Sequence, residues 1–180
     1  MMFHAVPRES NRGERSLPRF VAARCLAAIA LIAIVATPAP ARVGVRSTGP
    51  QNPTIVHDGS SQPQVFAETR WNLRSVGEPL GATVQWTCPP FVHAADAALK
   101  VDSRLDVRVL RSNRGANWQV VLGQDQTDFN GGKQTATVVL SSQSSGNGRA
   151  GLTVTFLSGP FDSLAAGDYT LTVTATIAGN

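Results

Sequence analysis

The feature that most constrains the fold is an alternation of apolar and polar side chains that recurs between residues 65 and 177. In the segment YTLTVTATI, threonines separate five apolar residues: Tyr169, Leu171, Val173, Ala175 and Ile177. A period of two residues is typical of a β-strand with one buried and one solvent-facing side, and β-branched residues favour that conformation. The pattern therefore predicts sheets that bury one face.

Seven segments carry this alternation, and Gly, Asn and Ser loops separate them. Their inward-facing residues are Val65, Ala67, Thr69, Trp71 and Leu73; Val84, Trp86 and Cys88; Leu105, Val107 and Val109; Trp118, Val120 and Leu122; Ala136, Val138 and Leu140; Leu152, Val154 and Phe156; and the closing five named above. Short strands in this arrangement predict an all-β fold. We expect an antiparallel β-sandwich of about seven strands, immunoglobulin-like or pilin-like.

The N-terminus has a different pattern. Five arginines, the last of them Arg24, precede the apolar run CLAAIALIAIVA at residues 25–36. This run is shorter than the roughly 20 residues that a helix needs to cross a bilayer, and Pro38 and Pro40 end it. We therefore predict a signal helix in residues 1–41, cleaved after Ala41; an uncleaved signal anchor is the alternative. The protein is expected to be exported to a periplasm, the cell surface or the exterior.

Two regions follow the signal peptide. Residues 42–64 are rich in Pro, Gly, Ser and Gln, which predicts a flexible linker or arm, and residues 65–180 have the length of one β-sandwich domain. Val43, Val45 and Ile55 allow the hypothesis that the arm adds a strand to a neighbouring molecule. The prolines of the arm favour a disordered tether instead.

Charge and cysteine content exclude some classes of protein. The whole chain has a net charge of +4 and a pI of about 9.8. After cleavage, eleven Lys and Arg residues face ten Asp and Glu residues, a net charge of +1. The basic total therefore reports targeting and does not predict a nucleic-acid partner, and membrane contact is expected only through an uncleaved signal segment. Cys88 is the one remaining cysteine, so an intramolecular disulfide is excluded.

Two glycine-rich stretches resemble nucleotide-binding motifs. Gly146, Gly148 and Gly151 satisfy G-x-G-x-x-G, but the strand-like segment LTVTF follows where a dinucleotide site needs a helix. The stretch GGK at residues 131–133 lacks the earlier glycine and the Ser or Thr of a phosphate loop. We predict a flexible hairpin loop at the first stretch and a turn at the second.

Metal sites are not predicted from the histidines or from the acidic loop. His57 with Asp58, and His93 with Asp96, lack the spacing of zinc ligands. The loop DQTDFNGGK contains Asp125, Asp128 and Asn130, whose oxygens suit Ca²⁺, but their spacing does not fit the twelve-residue calcium loop. A solvated hairpin loop is the preferred interpretation.

Nucleophilic catalysis is not predicted either. The chain has no G-x-S-x-G motif, and the parity of Cys88 points its thiol into the core, where ionisation is unfavourable. The sequence therefore predicts no catalytic, cofactor-binding or metal-binding residues and no enzymatic activity.

The aromatic residues divide into two groups. Trp71, Trp86 and Trp118 have inward parity, which predicts core positions and disfavours an exposed platform for sugars. Phe91, Phe129 and Phe161 fall in predicted loops and are candidates for a small binding patch.

The segment LAAGDYTLTVTATI resembles the closing strand of bacterial fimbrial and spore coat protein U type subunits, and ANWQVVLGQDQTDFNGGK is similar to the tryptophan-bearing strand of cell-wall-binding WxL domains. These resemblances imply an exported β-sandwich that assembles on or near a cell surface. The chain departs from the first family in lacking paired cysteines, and from the second in lacking a second WxL motif.

The sequence as a whole predicts an exported, non-enzymatic β-sandwich with a structural or adhesive role at the cell surface. The alternative is a small carbohydrate- or protein-binding module. Other protein subunits and surface glycans are the expected partners.

Overall fold

The computed structural model describes residues 42–50, 52–113 and 115–180, so the predicted signal helix and its cleavage site lie outside the described residues. Within those ranges, no helix has the length and apolar character needed to span a membrane. The chain there forms one 3₁₀ helix, Phe161–Ser163, and twelve strands: β1 (Arg42–Ser47), β2 (Gln64–Val65), β3 (Thr69–Val76), β4 (Ala82–Cys88), β5 (Phe91–His93), β6 (Lys100–Ser112), β7 (Gln119–Leu122), β8 (Gln124–Gln126), β9 (Ala136–Ser141), β10 (Asn147–Leu157), β11 (Tyr169–Thr170) and β12 (Thr174–Gly179).

The strands form two antiparallel sheets. The larger sheet has the order β1-β3-β10-β6-β5-β11, with β2 paired to β10 and β8 paired to β6. The smaller sheet has the order β12-β4-β9-β7. The predicted all-β, antiparallel class is therefore confirmed.

Residues from both sheets share the main core. Leu73, Leu105 and Leu152 come from the larger sheet, and Trp86 and Leu140 come from the smaller one. None of these five side chains is more than 2% exposed, as the alternation predicts. Burying a large apolar side chain contributes about 1.5–3 kcal/mol relative to leaving it exposed, so this shared core is the main source of stability. A smaller cluster contains Phe91, Val101 and Phe156.

The predicted strands at residues 65–73 and 118–122 differ from the observed ones in the burial of some of their residues. Residues 66–68 separate β2 from β3, and Val65 is 53% exposed. Trp118 is buried as expected, but Val120 and Leu122 of β7 are 48% and 41% exposed. Strand β7 is an edge strand whose register against β9 shifts between Val120 and Leu122, so its side chains lose the inward parity of a regular strand.

The closing alternation predicts one strand, and the structure divides it between the sheets. Strand β11 pairs with β5 in the larger sheet, whereas β12 pairs with β4 in the smaller sheet. Residues 171–173 cross between them, and Leu171 and Val173 pack partly buried against the core. The side-chain period continues through the crossing, which is why the sequence does not reveal the change of partner.

Strand β1 lies within the segment that the sequence assigns to a linker or arm. It pairs with β3 over six residues, from Arg42 opposite Val76 to Ser47 opposite Trp71, and Val45 packs against the core. The prolines begin only at residue 50, so the preceding residues keep the backbone donors that a strand needs. The strand addition considered for a neighbouring molecule thus occurs within the same chain.

Candidate functional site

The glycines of GNGRAG serve packing. Strand β10 begins at Asn147, so only Gly146 lies in the preceding loop, and the predicted hairpin loop is shorter than expected. A Cβ at Gly148 would overlap the indole of Trp118, and a Cβ at Gly151 would overlap the carboxylate of Glu68. Both strand glycines therefore leave room for a neighbouring side chain.

The carboxylates of the acidic loop after β8 are bound by hydrogen-bond donors and a lysine from the same hairpin. An isolated bridge joins Asp128 to Lys133, and Asp128 accepts a hydrogen bond from the Gly131 N–H at 2.7 Å. Asp125 forms an ion pair with Lys133 and accepts the Thr137 N–H at 2.9 Å. Partial burial alone would raise the pKa of Asp125, but these donors outweigh it and lower that pKa. The carboxylates thus stabilise a hairpin.

The histidines act in local hydrogen bonding. His57 Nδ1 accepts the Gly59 N–H at 3.1 Å. His93 is buried; its Nδ1 accepts the Ala95 N–H at 3.2 Å, and its Nε2 lies 3.1 Å from the Ala166 carbonyl oxygen. Because Nδ1 accepts, Nε2 carries the proton and donates to that carbonyl. No cluster of three or more His, Cys, Asp or Glu residues able to hold a metal occurs in the described part of the chain.

The Cys88 thiol occupies the core, as its parity predicts. It is 1% exposed, and its sulfur lies 3.2 Å from the Ser103 hydroxyl. That hydroxyl donates to the Pro89 carbonyl at 2.8 Å, so it accepts from the thiol. Burial raises the pKa of Cys88, which disfavours the thiolate needed for nucleophilic chemistry.

The three phenylalanines proposed as a binding patch do not form one. Phe91 is in β5 instead of a loop and is 3% exposed, stacked on Phe66 with ring centroids 5.8 Å apart. Phe129 lies beneath the Lys100 ammonium, 5.0 Å from its ring centroid. Phe161 begins the 3₁₀ helix, and its side chain lies outside the described part of the structure.

An apolar cleft of about 980 Å³ opens between residues 45–57, the buried face of the larger sheet and residues 167–173. Trp71, Phe156 and Tyr169 line it, and Trp71 packs edge-on against Trp86 with centroids 6.0 Å apart. Of the three tryptophans, Trp86 and Trp118 are buried, while Trp71 is only partly buried. Sequence reasoning missed this cleft because its residues come from five separated segments with no shared motif.

The edge strand β7 is the most apolar exposed stretch in the described ranges. Val120, Val121 and Leu122 are 48%, 65% and 41% exposed, and β7 pairs only with β9 there. A row of unpaired backbone groups beside apolar side chains is a template for pairing with another strand. The consecutive apolar residues VVL could have indicated an exposed apolar strand, but the alternation placed Val120 and Leu122 in the core.

Comparison of the chain with family models, curated proteins and solved structures found no match.

Proposed function

We propose that the protein is an exported, non-enzymatic β-sandwich, immunoglobulin-like or pilin-like, with a structural or adhesive role at the cell surface. Strand β7 is the observation that carries this proposal, because its open edge offers a contact to a further subunit. The core shared by two antiparallel sheets supports the sandwich assignment. The resemblance of residues 164–177 to fimbrial and spore coat protein U type subunits points to the same role.

Two other edge strands, β1 and β12, are less suited to pairing. Arg42 and Arg46 place charges on β1, while Thr174 and Thr176 make the exposed side of β12 polar. Charged and polar residues blunt an edge, whereas QVVL of β7 carries no charge. A second copy of β7 supplies the same apolar surface, so pairing about a two-fold axis is self-complementary.

The irregular register of β7 around residue 121 limits the pairing to a few residues. Association should therefore be weak and should depend on concentration. We would measure the average mass of the protein by light scattering over a range of concentrations. The parent protein should gain mass as the concentration rises, and Val121→Lys should remain monomeric.

Leu80→Lys is the matched control, since Leu80 is 66% exposed and lies outside the strands. It should associate like the parent. Equal Tm values for the two variants would show that both stay folded. A parent that remains monomeric at every concentration, or Val121→Lys that associates like the parent, would contradict the proposal.

The apolar cleft favours a second candidate, a small carbohydrate- or protein-binding module. Trp71 and Tyr169 offer ring surfaces there, which a sugar ring or an apolar peptide side chain can contact. Titration with oligosaccharides and short peptides should change the tryptophan fluorescence of the parent but not that of Trp71→Phe. Unchanged fluorescence across both sets of compounds would remove this candidate.

A further inference from the structure

Arginines are concentrated on the solvent-facing side of the larger sheet. Eight of them occupy outward positions on four neighbouring strands: Arg42, Arg46, Arg70, Arg74, Arg104, Arg108, Arg111 and Arg149. The register aligns some of them across the strands. Arg46 is opposite Asn72, Asn72 is opposite Arg149, and Arg149 is opposite Arg111. One row across the sheet thus carries three guanidinium groups and one amide.

Two of the eight have acidic partners on the same face. Arg108 contacts Glu68 at 2.6 Å, and Arg104 contacts Asp106 at 3.0 Å. In the described ranges, the other six form no ion pair, and we call them the arginine face: Arg42, Arg46, Arg70, Arg74, Arg111 and Arg149. The nearest polar contact of Arg149 is the Asn72 side-chain oxygen, 3.4 Å from its Nε. Like charges on neighbouring strands repel, so this arrangement has a stability cost that a bound anion would remove.

The net charge of residues 42–180 does not reveal this positively charged surface. Residues 42–180 carry a net charge of only +1. Besides Glu68, seven of the ten acidic residues in 42–180 lie outside the four strands that carry the arginine face: Asp58, Glu78, Asp96, Asp125, Asp128, Asp162 and Asp168. Residues 42–180 are therefore nearly neutral in total and strongly positive on one side. Such a side attracts polyanions regardless of the total charge.

A shallow groove of about 520 Å³ runs over part of the arginine face. Four arginines line it, Arg46, Arg74, Arg111 and Arg149, together with Asn72, Asn113 and Asn147. A Cβ at Gly44, which is opposite Arg74, would meet nothing within 4 Å, so this glycine leaves the groove open. Four strands at about 4.8 Å spacing make the surface about 14 Å wide, enough for several units of an extended polymer.

We propose that the arginine face binds an acidic polysaccharide, one that carries carboxylate or sulfate groups. The planar guanidinium group pairs with either anion through two parallel hydrogen bonds, and the asparagine amides can both donate to and accept from sugar hydroxyls. A shallow groove lined by repeated cations matches a polymer with repeated anions. This binding does not depend on assembly through β7, which belongs to the other sheet.

Two other polyanions fit the surface less well. Single-stranded nucleic acid is bound through stacking of bases on aromatic side chains, and the groove over the arginine face is lined by none. Binding to an anionic membrane needs apolar side chains that enter the lipid interface, and Val76 is the one apolar residue among the outward positions of β1, β3 and residues 147–151, which are otherwise Arg, Asn and Gly. Nucleic acid and membranes are therefore comparison arms of the test.

The test measures binding of the protein, produced from its complete sequence and with its N-terminus verified by mass spectrometry, to four probes. These are polygalacturonate, dextran sulfate, single-stranded DNA of mixed sequence and vesicles of anionic phospholipid, with uncharged dextran as the blank. At least one acidic polysaccharide should bind more tightly than DNA and vesicles. For about four ionic contacts, affinity should fall about 50-fold when salt rises from about 50 to 200 mM.

Arg46→Gln/Arg149→Gln removes two charges from the groove, and Lys100→Gln/Lys133→Gln removes two charges elsewhere. The first pair should weaken polysaccharide binding by about tenfold or more, and the second pair should leave it nearly unchanged, with Tm recorded for both. Three outcomes would overturn the proposal: no binding of either acidic polysaccharide, tighter binding of DNA or vesicles, or an equal loss of affinity in the two double variants. Light-scattering results on β7 do not enter this test.

Discussion

The close approach of Trp118 to Gly148 predicts that substituting Trp118 changes the sign of the effect of Gly148→Ala on the free energy of unfolding. Trp118 is 4% exposed, and a Cβ at Gly148 would lie 2.8 Å from its indole Nε1. Gly148 is not among the residues with positive φ, so only this close approach opposes a larger residue there. Gly148→Ala should therefore lower the free energy of unfolding by about 1–2 kcal/mol, the overpacking cost less the smaller gain from a stiffer unfolded chain.

Trp118→Ala should lower the free energy of unfolding by about 3–5 kcal/mol, because it removes a large buried aromatic side chain. In that background the indole is gone, and Gly148→Ala should become neutral or stabilising by up to about 1 kcal/mol. The two substitutions should thus be coupled by at least about 1 kcal/mol.

Urea unfolding followed by far-UV circular dichroism gives all four free energies of the cycle. Gly44→Ala is the control, because Gly44 lies on the same sheet and a Cβ there would meet nothing within 4 Å. It should be neutral or slightly stabilising. Additive effects of Trp118→Ala and Gly148→Ala, within about 0.5 kcal/mol, would refute the proposed packing.

Two further predictions concern ionisable groups. Because burial raises the pKa of Cys88, a thiol reagent at pH 8 should label it slowly in the native protein and rapidly in urea. Cys88→Ala should remain folded, and it should remain monomeric below the concentrations that favour association. Fast labelling of the native protein would contradict the burial of Cys88. The lowered pKa of Asp125 means that its carboxylate stabilises the folded state at pH values above the ordinary 3.8 and that this contribution disappears as the pH falls through the lower folded value. Asp125→Asn should therefore be less stable than the parent at pH 7, with the difference shrinking in acid; a difference independent of pH would contradict this.

The period of two residues predicted which side chains face the core, because that depends only on the local geometry of each strand. It identified the inward residues of β4 and β9, such as Trp86 and Leu140, because burial on one face requires that parity whatever the partner strand is. It did not predict which strands pair. The sequence gives Tyr169 and Ile177 the same pattern, yet one lies in the larger sheet and the other in the smaller.

Part of the arginine face could be predicted from the sequence. Arg70, Asn72 and Arg74 share one face of β3 by parity alone. Their alignment with Arg46 and Arg149 requires the register of three strands, and those strands are distant in sequence. A whole-chain charge cannot reveal this, since it sums both faces. The apolar cleft was hidden for the same reason, because its lining comes together only through long-range pairing.

The pairing of β4 also bears on how the chain acquires its structure. Its two neighbours are β9, residues 136–141, and β12, residues 174–179, so neither exists when β4 leaves the ribosome. Such distant partners raise the contact order and slow folding, because the chain loses loop-closure entropy before the strand-pairing contacts can stabilise it. Until then the segment ATVQWTC has no pairing partner on either side, and Val84, Trp86 and Cys88, which the folded protein buries, remain uncovered. We therefore expect this segment to be prone to aggregation during synthesis, and a holding chaperone that covers it should have its greatest effect before residue 136 appears.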